Sequence, residues 1–285
     1  MNAPALTYVY AATRPTSDLD AALPTLHGIG QAPLRLLHSD GEGTPLAFVA
    51  ADVPEGDFNE TALKNHFEDL DWLEYVARTH HDVVQAIATC ASVLPLRMAT
   101  VYQDDHRARQ ALTAQHHAFS QRLDQLRAHT EYGVKIYLTP STTPGPEQAT
   151  ASPTQPTSPG KAYLRARKAQ HHTREAVYQQ AQHAAQAIDA IAAHHTTQRV
   201  RHAPQRGALT ATQENVLNDA YLIPDDQAEE FQAAIADAAR RFPDLRIEVT
   251  GPWAPYSFAT PPPEPPNPAP TSSLPGAPAA SPPPP

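Results

Sequence analysis

The 285-residue chain predicts an α+β fold in two domains, and three observations carry that expectation. Short runs of aromatic and β-branched residues read as strands. Longer stretches repeat apolar residues at steps of three and four, as a helix with one buried face does. Two proline-dense stretches then divide and end the chain: six of its 31 prolines lie between Pro140 and Pro159 and thirteen between Pro261 and Pro285. Proline has no amide hydrogen to donate, so segments this dense in it are expected to be a disordered linker and a disordered tail. The expected domains are 1–139 and 160–259, with a linker at 140–159 and a tail at 260–285.

Ala5 to Ala12 carries Tyr8, Val9 and Tyr10 and reads as a strand. Leu34 to His38 and Leu46 to Val53 are apolar runs joined by the turn-forming Ser39-Asp40-Gly41-Glu42-Gly43, so they predict a hairpin. Asp71 followed by Glu74 has the spacing of a capping box, and Leu73, Val76, Val83 or Val84, and Ile87 keep helical spacing up to about Cys90. Val93 to Met98 contains Pro95 and is predicted extended, near a sheet edge. Leu112, His116, Phe119, Leu123 and Leu126 form the stripe of another helix, and Tyr132 to Leu138 alternates and is expected to close the first domain as a strand. Helices on one face of a mainly antiparallel sheet follow from that order.

Gly160 to about Thr197 is alanine-rich and proline-free and predicts one long helix, packed through Val177, Ala181, Ala184, Ile188 and Ile191. Its start carries Lys161, Arg165, Arg167 and Lys168, cations at the positive end of the helix dipole, which invites an acidic partner. Val200 to Ala211, Val216 to Ile223 and Leu245 to Thr250 are strand candidates. Asp225 or Asp226 is placed to cap a helix bearing Phe231, Ile235, Ala238 and Phe242.

A formal charge of −9 argues against nucleic-acid partners, which are held by clustered lysines and arginines. A start without a basic segment or a long apolar run, and the lack of any stretch near the length of a membrane span, predict a cytoplasmic protein without a membrane partner. Catalytic patterns fail in turn. There is no G-x-S-x-G, Gln155 stands where a phosphate loop before Gly160-Lys161 needs glycine, and Gly28-Ile29-Gly30 is too short for a dinucleotide fingerprint. Cys90, the single cysteine, reads as core. The fifteen histidines include the pairs His80-His81, His116-His117, His171-His172 and His194-His195. Neighbours on a helix diverge by about 100°, so such pairs do not chelate one ion, and only His171 with Glu175 has usable spacing. No catalytic, cofactor or metal residue is therefore expected.

Gly251-Pro252-Trp253-Ala254-Pro255-Tyr256-Ser257-Phe258 resembles the segment that closes the last domain of the gas vesicle protein L/F family (GvpL/GvpF). Four further segments fit that family in order: Leu94 to Tyr102, Gly133 to Tyr137, Gly160 to Leu164, and Asn218 to Ile223. The motif residues are Pro95, Leu96, Arg97, Gly133, Lys135, Gly160, Tyr163, Tyr221, Gly251, Pro252, Trp253, Pro255, Tyr256 and Phe258. The resemblance implies that the first domain is ferredoxin-like. It also implies a noncatalytic role, without cofactor, in gas vesicle assembly. The implied partners are the small, very hydrophobic shell protein GvpA, whose nucleation or solubility such a protein would assist, and other gas vesicle proteins, at the vesicle's gas-facing side or in the cytoplasm. A small-ligand-binding regulatory module is the alternative, because ferredoxin-like domains host many functions. The aromatics of the closing segment are read as packing residues, with Trp253 buried against the second domain's sheet. Arg97 is either one half of a structural ion pair or an interface anchor.

Overall fold

The computed structural model describes residues 4–40, 43–138, 159–196, 198–205 and 213–259. The expected linker, but for Pro159, and the expected tail lie outside them, as do residues 206–211 of the strand expected from Val200 to Ala211.

The first sheet is built from β1 (Ala5–Thr13), β2 (Arg35–His38), β3 (Ala47–Pro54) and β4 (Val93–Pro95), in the order β2-β3-β1-β4, with the short β5 (Val101–Tyr102) also pairing β1. Every pairing is antiparallel. The predicted hairpin is β2–β3, and Val93 to Pro95 does lie at an edge. A bulge between Val9 and Ala11 leaves Tyr10 without a partner on β3. The extra residue resets the two-residue period, so Tyr8, Tyr10 and Ala11 join one core while Val9 and Ala12 join the other.

Both faces of this sheet are covered. On one lie α1 (Ser17–Ala22), α2 (Glu55–Phe58), α3 (Glu60–His66) and α4 (Leu70–Ala88). α4 buries Val76, His80, Val83, Val84 and Ile87, but Asp69 rather than Asp71 caps it, its Oδ1 accepting from the amides of Asp71 and Trp72. Cys90 lies just past that helix, half-buried against the same core. The other face carries α5 (Asp105–Ala114) and α6 (His116–Leu126), which break at Gln115 where a single helix was expected.

The strand expected to close the first domain is β6 (His129–Leu138), and it belongs to the second sheet instead. There it lies between β8 (Glu214–Pro224) and β9 (Leu245–Trp253), with β7 (Arg199–Arg201) at the far edge, in the order β7-β8-β6-β9. The physical reason is partner length. β6 pairs nearly end to end with β8, from His129 opposite Pro224 to Leu138 opposite Glu214, whereas the edge the first sheet offers at β4 is three residues long.

α7 (Pro159–His195) and α8 (Ala228–Ala239) cover the outer face of the second sheet, and the predicted stripe of α7 is there: Ala181, Ala184 and Ile188 are buried with Tyr221, Ile223 and Phe231. Neither Asp225 nor Asp226 caps α8 through its side chain; a 3-10 turn precedes it, and the Asp225 carboxylate accepts from Thr130 Oγ1 at 2.6 Å. The inner face, through Ala220 and Leu222, packs into the core that contains Val9, Phe48, Leu123 and Leu126. The layers thus run α4, first sheet, α5/α6 with the second sheet, and α7/α8.

Candidate functional site

β9 ends at Trp253, and residues 254–259 leave the second sheet as a strap laid over the first. Ala254 and Tyr256 join the α4-side core and Phe258 the core between the sheets, so six residues touch both faces of the first unit. Four backbone groups of this path meet specific side chains, those of Pro252, Ala254, Ser257 and Phe258. Gln85 on α4 donates from Nε2 to the Pro252 carbonyl at 3.1 Å and accepts from the Ala254 amide at 3.0 Å. Arg122 on α6, itself buried, donates from Nε to the Phe258 carbonyl at 2.6 Å.

Gly251 makes the exit possible. Its φ of +123° is one that L side chains rarely adopt, and a Cβ there would lie 2.9 Å from the Glu131 carbonyl oxygen. Gly133 serves the same corner, because a Cβ on it would lie 2.6 Å from Thr250 Oγ1 and hold β9 away from β6.

Two buried titratable groups anchor the junction. Glu131 accepts from the Ser257 amide at 2.8 Å and from Ser257 Oγ at 2.6 Å. Burial pushes its carboxyl pKa up, against the lowering effect of those bonds. His202 Nε2 lies 2.9 Å from the same Oγ. Serine, histidine and carboxylate together invite comparison with a hydrolytic triad, but the order is wrong: the carboxylate takes the hydroxyl proton directly and does not orient the histidine. The trio ties the strap to β6.

His80, on the predicted stripe of α4, is 3% exposed, with Nδ1 2.9 Å from Tyr8 Oη and Nε2 3.2 Å from the Leu96 carbonyl. The Leu96 carbonyl only accepts, so the neutral ring carries its proton on Nε2 and its Nδ1 accepts from Tyr8 Oη, which itself accepts from the Ala99 amide at 3.0 Å. Burial lowers its pKa from 6.5 to about 4. The unfolded chain therefore binds this proton first as pH falls. The contribution of His80 is fully present above about 6.5, and it is lost progressively down to about 4. Glu131 acts in the opposite sense, so the comparison is made with His80→Gln, which keeps a donor and an acceptor and removes the titration. The expected result is a smaller fall in unfolding midpoint between pH 6.5 and 4 for the variant than for the wild type, read by denaturant melts across that window.

The motif residues divide into three groups. Leu96, Arg97 and Tyr256 meet at the junction, where they line a groove of about 370 Å³ with His81 and Met98, and Trp253 packs beside it on His81; Gly251, Pro252, Pro255 and Phe258 carry the strap, and Pro95 is buried in β4. Gly133, Lys135 and Tyr221 lie within the second sheet, where Tyr221 Oη donates to Asp189 on α7 at 3.1 Å and Lys135 Nζ reaches Gln205 at 3.4 Å. Gly160 and Tyr163 fall in the opening turns of α7, and the Tyr163 side chain lies outside the described residues.

Trp253 corrects the expectation of burial. It is 39% exposed, and its ring packs edge-on against His81 with centroids 5.4 Å apart. The cause is register: Trp253 opposes Glu131 at the end of β9, where the chain is already leaving the sheet. Arg97 is exposed and, among the described residues, enters no ion pair, so the expected carboxylate partner is absent there. His171 and Glu175 do approach, at 3.4 Å, but both are exposed, and no group of three potential metal ligands occurs among the described residues. No described helix is long and apolar enough to cross a membrane.

Sequence reasoning missed Glu131, Gln85, Arg122 and His202. Only His80 left a signal, as a histidine at an apolar-stripe position one turn from Val76.

The arrangement defines an α+β protein whose two antiparallel sheets are locked together by a C-terminal strap of its own chain. The family described as "Gas vesicle synthesis protein GvpL/GvpF" matches residues 6–260, and the chain belongs to that family. It is 38% identical over 262 residues to gas vesicle protein L of Streptomyces sp. (strain CB03234), covering 91% of this chain and 94% of that one. Gas vesicle protein F of the same strain is 28% identical, with 88% and 98% covered. The fold is similar to the crystal structure of GvpF from Microcystis aeruginosa, at a TM-score of 0.59 and 19% identity over 90% of this chain and 99% of that one. The chain thus has a gas-vesicle-related role.

Proposed function

We propose that the protein is a noncatalytic assembly factor that binds the hydrophobic shell protein GvpA through the strap junction and assists nucleation or keeps GvpA from aggregating. The observation that carries this reading is the convergence of the family's Pro-Leu-Arg and Gly-Pro-Trp-x-Pro-Tyr-Ser-Phe segments on one surface, where Trp253 and Arg97 remain exposed. Tryptophan and arginine are the residue types that most often anchor interfaces, and neither is needed here to fill a core. The bonding of Ser257 to Glu131 supports a structural role for the one triad-like cluster.

The same reading takes the first unit as ferredoxin-like, supported by the antiparallel order β2-β3-β1-β4. It places the start of the second unit before β6 rather than after residue 139, supported by the pairing of β6 with β8 and β9. A clean deletion of the gene, in a host without a second family member, is expected to abolish or sharply reduce vesicles. Normal vesicle yield in that strain would refute the assembly role.

A further inference from the structure

The long helix α7 docks through its C-terminal half only. Val177, Tyr178 and the residues after them pack on the second sheet, while every described side chain from Leu164 to Ala176 is exposed. At 1.5 Å per residue the opening eighteen residues make an arm about 27 Å long. Residues 161–176 hold five lysines and arginines against one acid, and no sixteen-residue stretch elsewhere in this net-negative chain holds as many cations. The exposed Leu164 sits one turn before Arg167 and Lys168 on that arm.

The opposite outer layer carries the complementary pattern. Residues 55–74 hold seven acids against one lysine. At the turn from α3 into α4, Phe67 is 50% and Leu70 77% exposed, with Glu68, Asp71 and Glu74 exposed around them. Lys64 and Arg78 are already paired with Glu60 and Glu74, which leaves Glu68 and Asp71 as the acids beside these open apolar side chains, a surface suited to a basic helix that carries its own apolar contact. α7 packs on α8, β6, β8 and β9, and the α3–α4 turn lies beyond the first sheet on the far side of the molecule.

We infer that the basic arm of α7 in one copy docks on the acidic, apolar α3–α4 turn of a second copy, so that the chain associates head to tail. Two unlike patches on opposite layers make a heterologous contact, which propagates unless the rotation closes a ring. Arg165, Arg167 and Lys168, cations near the positive end of the α7 dipole and unfavourable there in an isolated chain, then gain an acidic partner.

The test is sedimentation of the full chain over a range of concentrations, in buffer of about 0.01 M and about 1 M ionic strength, where the screening length falls from about 30 Å to about 3 Å. The weight-average mass is expected to rise with concentration at low salt and to return to one chain at high salt. Two charge reversals, E68K/D71K on the turn and R167E/K168E on the arm, are each expected to weaken association by roughly tenfold or more, because like charges then meet. All four positions are exposed, and Asp69, which caps α4, is left in place. Mixing the two variants puts an acidic arm against a basic turn and is expected to restore association. A wild-type chain that stays a monomer at low salt would overturn the inference and leave the turn to a different partner. Association unchanged by either reversal, or not restored by mixing, would also overturn it.

Discussion

Phe258→Ala is expected to cost about 3–5 kcal/mol, the usual loss when a fully packed aromatic is truncated. Phe258 is 3% exposed and fills the core shared by Val9, Leu123 and Leu126 of the first unit and Leu222 of the second. Its carbonyl is the acceptor for the buried Arg122 Nε, so a loosened strap leaves that guanidinium with its bond to Gln125 alone. A small two-sheet protein has roughly 5–15 kcal/mol of net stability, so the variant should lie near unfolding. Denaturant melts followed by fluorescence and by circular dichroism should show a large drop in midpoint. An unchanged midpoint would mean that the strap rests on the molecule without holding it.

Gly251→Ala is the second large effect, expected at about 3 kcal/mol. A non-glycine residue at a φ of +123° carries backbone strain of about 1–3 kcal/mol, and its Cβ would lie 2.9 Å from a carbonyl oxygen of β6 that cannot rotate away. Tyr132 Cδ1 at 3.0 Å closes the other side. Gly133→Ala is the instructive contrast, because the atom it meets, Thr250 Oγ1, belongs to a side chain that can turn. A smaller loss there, and a larger one at Gly251, is the expected order. Equal losses would show that the conformation of Gly251 matters less than the crowding.

The elements legible in the sequence were those with one buried face. α4 and the docked half of α7 show their stripes plainly, since the opposite face of each is solvated. Strands buried on both sides gave less: β1 has seven consecutive buried residues, so no alternation marks its faces, and the bulge at Tyr10 that assigns them has no sequence signature. The strand order was beyond reach for the same reason. Tyr132 to Leu138 reads as a strand, but its choice between two sheets is made by long-range pairing with β8, some eighty residues later, and not by local propensity. Trp253 was misplaced because its neighbours are apolar and rigid, while its exposure follows from the register in which β9 ends. The polar anchors of the strap, Gln85, Arg122 and Glu131, belong to elements far apart in the chain, and residue type alone does not distinguish them from the other surface polar residues.

The most direct test of a shell-protein site at the strap junction is to measure binding of GvpA to the wild-type chain and to Trp253→Ala while recording the melting temperature of each. Trp253 is 39% exposed and belongs to none of the three buried cores, so the variant is expected to melt within a few degrees of the wild type, far above Phe258→Ala. As an interface anchor it is expected to lose at least about tenfold in affinity, the consequence of removing about 1.4 kcal/mol or more of contact. Retained affinity in a stable variant, or no GvpA binding by the wild-type chain, would contradict the account.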